Sequence, residues 1–86
     1  MRYNVIVTDP NGVTTVLATT RRRLGAEHEL DAFVLSQVSH LEAHSFPPER
    51  VITGTTPCGG TAVVLMREPK QASLMYLYNI EEVHVQ

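Results

Sequence analysis

The sequence predicts a small α+β domain: an antiparallel sheet of four to five strands with one helix packed on one face, in the order β-β-α-β-β. Three observations lead there. Two β-branched runs flank the turn-forming residues Asp9-Pro10-Asn11-Gly12. A stripe of apolar residues then recurs at helical spacing between Leu30 and Leu41. Two further apolar runs, 61–67 and 73–80, close the chain.

Tyr3 to Thr8 alternates Tyr3, Val5 and Val7 with Asn4, Ile6 and Thr8, as a strand does. In the turn that follows, Asp9 suits the first position of a type I turn and Pro10 presets φ at the second. Gly12 accepts the left-handed conformation of a bulged hairpin. Val13 to Thr20 is the return strand, and Arg21 to Gly25 reads as a connector. A helix is expected from about Ala26 to His44, with Leu30, Phe33, Val34, Val38 and Leu41 on one face. Glu27, Glu29 and Asp31 would lie near its positive end, and Pro47-Pro48 would stop it. Val51 to Thr53 suggests a short extended piece, and residues 54–60 a loop rich in glycine and threonine. Thr61 to Arg67 and Ser73 to Ile80 read as strands joined by a turn at Glu68-Pro69-Lys70-Gln71. Val83 and Val85 extend the second of them.

The 86 residues make one domain, 1–86, with modest burial on folding. A net charge of −2 suits neither a phosphate-gripping surface nor a nucleic-acid mimic. Cys58 is the sole cysteine, which excludes an intramolecular disulfide. Met1-Arg2-Tyr3-Asn4 has no signal-peptide pattern, and no apolar run approaches the ~18 residues that span a bilayer. A cytoplasmic setting in a microbe or an infected host is expected, with no membrane partner and no cofactor.

The last two strands bear most on function. Half-exposed strands alternate apolar and polar residues. Here Val63 and Leu65 oppose Ala62, Val64 and Met66, while Leu74, Tyr76, Tyr78 and Ile80 oppose Met75 and Leu77. One helix covers one face, so one apolar set is left over. Exposed apolar area forgoes roughly 25 cal/mol per Å² and favours association. The blander outcome is that residues 45–60 fold back over that face. The expectation is a non-enzymatic protein-interaction module, a homodimer or the partner of another protein. It would dock through Val64, Met66, Met75 and Leu77, or through Tyr76 and Tyr78 if theirs is the uncovered side. Leu35, off the helix stripe, adds a little apolar surface.

Other chemistry competes weakly. Arg21-Arg22-Arg23 is the one basic cluster; with Arg2 or Lys70 it would contact phosphates in a nucleic-acid-binding alternative, or simply meet acids of the following helix. His40 and His44, four apart on a helix, have the spacing of two metal ligands. A metal-dependent enzyme would need Cys58, His84 or Glu42 to join them. A thiol enzyme would need a base beside Cys58, and none can be assigned. The loop from Gly54 to Thr61 lacks the Lys-Ser/Thr ending of a phosphate-binding loop and leads into a strand. No catalytic set assembles. In size and composition the chain looks like the small accessory or inhibitor proteins that bacteriophages encode, a likeness that transfers no residues.

Overall fold

The opening hairpin forms around the turn its residues specify. In a computed structural model, which describes residues 1–47, 49–67 and 71–84, β1 (Arg2–Thr8) pairs antiparallel with β2 (Thr14–Thr20). Gly12 N–H donates to the Asp9 carbonyl and Asp9 N–H to the Val13 carbonyl, both at 2.9 Å. The Asp9 carboxylate accepts from the N–H groups of Asn11 and Val13, again at 2.9 Å. Gly12 has φ 85°, where a side chain would be strained. Beyond the turn, the register slips between Val5↔Ala18 and Ile6↔Val16. Leu17 is the extra residue of this bulge and packs toward the core.

Helix α1 (Arg23–His44) starts a turn earlier than Ala26. Ala26 is fully buried, and the turn before it is already helical, so the last of the three arginines, Leu24 and Gly25 belong to the helix and not to a connector. The first turn therefore carries no acid. Glu27, Glu29 and Asp31 lie beyond it, where the dipole gives them little. Arg22 caps the helix by backbone alone, its carbonyl accepting from the Thr20 hydroxyl at 2.8 Å. Leu30 and Leu41 are buried; Phe33, Val34 and Val38 pack half-buried beside them, as their spacing predicts. Ser45 turns the chain to extended backbone ahead of Pro47; Pro48 lies outside the described residues.

Three more strands complete the sheet: β3 (Arg50–Thr55), β4 (Thr61–Arg67) and β5 (Gln71–Val83). β3 is longer than Val51–Thr53, because each of its residues finds a partner on β4, from Arg50↔Met66 to Thr55↔Thr61. β5 is longer than Ser73–Ile80, because β1 holds Glu81 and Glu82 in the ladder through Arg2↔Val83. The turn at 68–70 and the continuation to Val85 lie outside the described residues.

The strand order is β2-β1-β5-β4-β3, all antiparallel. This is the five-strand, one-helix architecture the sequence predicts. β5 is the spine. β1 pairs with its C-terminal part from Leu77 to Val83, and β4 with its N-terminal part from Gln71 to Tyr78. Only Leu77 and Tyr78 are flanked on both sides. The helix crosses the front of the sheet and touches every strand. Between them lies a core of Val5, Ala26, Leu30, Leu41, Val63 and Tyr78. Among the described residues no helix is long and apolar enough to cross a membrane.

Candidate docking surface

Strand alternation puts every second residue on the side away from the helix, and the register aligns these residues into rows. One row runs Ile52, Val64, Met75 across β3, β4 and β5. The next runs Gly54, Ala62, Leu77, Thr8, Thr14 across all five strands. Asn79, Ile6 and Val16 make a third row toward β2, and Arg50, Met66 and Ala72 a fourth toward the other end. The apolar residues of this rear face are not part of the core. Val16 is 54% exposed, Met75 44%, Ile52 42% and Leu77 38%.

The residues picked from sequence divide accordingly. Val64, Met66, Met75 and Leu77 share the rear face. Tyr76 and Tyr78 are on the covered front, so their face is corrected from candidate docking surface to core. Tyr78 is buried against Val5 and Val63, and its hydroxyl donates to Gln37 Oε1 of the helix at 3.5 Å. That burial pushes the Tyr78 phenol up from its ordinary pKa. Sequence reasoning missed Ile6, Val16 and Ile52, whose strands looked amphipathic or too short. The even-numbered alternation Asn4-Ile6-Thr8 carried the signal for Ile6.

The described residues of the 45–60 segment do not roof this face. β3 lies at the sheet edge, and Thr56 to Gly60 turns back sharply. The rear surface is not flat. On one side of Leu77 a hollow of about 380 Å³ lies between the hairpin turn at Asp9 to Gly12 and residues Ala72 to Met75. On the other side a second hollow, about 340 Å³, lies between Ile6 and the Thr56-Pro57-Cys58 turn. Both follow from the topology: β1 ends where β4 begins along β5, leaving a notch at each corner.

Cys58 sits exposed at the tip of the β3–β4 turn. The Thr56 hydroxyl lies 3.3 Å from its sulfur, and Asn79 Nδ2 donates to the same sulfur at 3.7 Å. The Thr56 contact holds the thiol below its ordinary pKa. The midpoint of iodoacetamide alkylation against pH is therefore expected to be lower for the native chain than for the chain in urea. Equal midpoints would show that the turn does not hold Thr56 on the sulfur. No general base stands among the groups bonded to Cys58.

The remaining candidates do not converge. The His40 and His44 rings lie side by side, tilted by 53°, with centroids 4.6 Å apart. Among the described residues no group of three histidine, cysteine, aspartate or glutamate side chains is placed to hold a metal. Arg23 meets Glu82 at 3.2 Å and Glu27 at 3.5 Å, so one of the three arginines already faces acids. Exposed pairs of this kind contribute about 1 kcal/mol or less. Comparison with models of protein families, with curated proteins and with solved structures finds no match.

Proposed function

We propose that this protein is a non-enzymatic protein-interaction module that works by laying the rear face of its sheet against another protein surface. The observation that carries the reading is the row Ile52-Val64-Met75 with Leu77 beside it: apolar side chains aligned across three strands and left open to water. Val16, Ile52, Met75 and Leu77 are each roughly half exposed, so covering one of them is worth about 1 kcal/mol. Together with the half-buried Ile6, Val64 and Met66 this makes a contiguous apolar surface, which monomers seldom leave open without a use. Charged residues are confined to its rim, as at the centre of an interface.

The test is co-purification from the native host, with a tagged chain expressed beside an untagged copy. A Met75→Lys/Leu77→Lys double variant is compared with the original and with an Arg21→Ala/Arg22→Ala/Arg23→Ala triple variant. The original and the triple variant are expected to recover a protein, either the untagged copy or another chain, that the rear-face variant loses. Identical recovery by all three, or recovery lost only with the arginines, overturns the reading.

A further inference from the structure

We infer that the occupant of the rear face is a second copy of this chain, seated sheet to sheet about a two-fold axis to give four layers, helix-sheet-sheet-helix. The inference rests on the interaction reading above and adds the identity of the partner.

Area is the first argument. Strands lie about 4.8 Å apart and same-face residues about 6.8 Å apart along a strand, so each rear-facing position covers about 33 Å². The four rows present roughly 450 Å² of flat sheet per copy. Two copies laid together cover about 900 Å² before side-chain relief is added, which brings the total to the ~1,000 Å² that a specific interface needs. A narrow peptide or a single inserted side chain would cover only a fraction of it.

Relief is the second. Leu77 stands as a ridge between two hollows at the middle of the face, on the residue pair that β1 and β4 both flank. A two-fold axis lying in the interface near Leu77 places the ridge of each copy over a hollow of the other. Two small residues in its own row, Gly54 and Ala62, leave room for the partner's Met75. A surface whose knobs and hollows are exchanged by one axis is self-complementary, the requirement of an isologous dimer.

Charge is the third. None of the four rows contains an aspartate or glutamate, and the one cation, Arg50, lies at the far end of its row on edge strand β3. An axis near Leu77, run across the line from Leu77 to Arg50, puts the two copies of Arg50 at opposite ends. It does the same for Glu81, which shares the face beyond Asn79, so self-association brings no like charges together. Sheets packed face to face at about 10 Å are an ordinary arrangement.

The test is sedimentation velocity on the purified chain from about 1 to 100 µM, with Ile52→Lys and Leu77→Lys made separately. Ile52 is on an edge strand and half in water, so its lysine variant is the one expected to fold without loss; thermal melting checks both. The expected result is the mass of two chains for the original and at least a hundredfold weaker dimerisation for each variant. A monomer at 100 µM overturns the inference. If the rear-face variant still loses another protein in co-purification, the interaction reading survives it; if nothing depends on that face, both fall. A dimer indifferent to both lysines also overturns it, because its interface would then be elsewhere, such as the open edge of β2.

Discussion

Replacing Gly60 by alanine is expected to destabilise the domain by about 2 kcal/mol, read as a lower urea midpoint at unchanged slope. A methyl built on Gly60 runs into the Tyr78 backbone carbonyl, with Thr56 Oγ1 at 3.1 Å and Asn79 Cγ at 3.3 Å behind it. The carbonyl belongs to the central strand and cannot rotate away as a side chain can. Relief requires β4 to move off β5 where they first pair, at Thr61↔Tyr78, or the turn to release Gly60 N–H from Thr56 Oγ1. Overpacking of this kind costs about 1–3 kcal/mol, and the lost flexibility of the unfolded chain returns only about 0.4–1 kcal/mol. Gly54→Ala supplies the control. Its methyl meets nothing within 4 Å, so its stability is expected to be unchanged or to rise by up to about 1 kcal/mol. Equal effects at the two glycines would show that the contact with Tyr78 is not made in solution.

Gly60 also shows where the sequence was hard to read. Residues 54–60 look like a flexible connection because glycine and threonine dominate them. In the structure Thr56-Pro57-Cys58-Gly59 repeats the geometry of Asp9-Pro10-Asn11-Gly12. Gly59 N–H donates to the Thr56 carbonyl and Thr56 N–H to the Gly60 carbonyl, both at 3.0 Å, and Gly59 has the same φ of 85° as Gly12. An oxygen-bearing residue, proline, a variable residue and glycine appear in both turns, so the second hairpin was legible by analogy with the first. The demand for glycine at 60 was not. Val13 holds the corresponding place in the first turn with its side chain in solvent, because β2 is an edge strand. At 60 a neighbouring strand stands there, and only the strand order reveals it.

The same limit governs the candidate surface. That one face of the last two strands would be uncovered follows from counting apolar residues against a single helix. Which face it would be depends on how β4 and β5 meet the helix, and the alternation of Tyr76 and Leu77 is the same either way. The early start of the helix was illegible for a related reason. Arg23, Leu24 and Gly25, after two more arginines, carry no intrinsic signature of a first helical turn, and tertiary burial of Ala26 places them there. Ile52 was missed because its strand borrows its length from β4, a non-local pairing.

Leu30→Ala is expected to cost about 3 kcal/mol, against a change within about 0.5 kcal/mol for Leu35→Ala on the same helix. Leu30 is 8% exposed and belongs to the core with Val5 and Val63; Leu35 is 67% exposed. Removing a buried leucine loses its transfer free energy and leaves a cavity that rigid strands fill poorly, which is why such changes cost about 2–5 kcal/mol. In a domain of this length the loss is a large share of the total, since folding stabilities run to about 5–15 kcal/mol and small domains sit near the bottom. The helix has no side-chain N-cap and no acid in its first turn to hold it independently. Its packing on the sheet must therefore supply most of its stability. Leu30→Ala should accordingly loosen helix and sheet together, in a single urea transition seen alike by circular dichroism and by the emission of the three tyrosines. Two separate transitions, or equal costs at Leu30 and Leu35, would mean that the helix does not depend on this face of the sheet. The rear face would then no longer be the one the fold leaves open, and no docked partner would be needed to cover it.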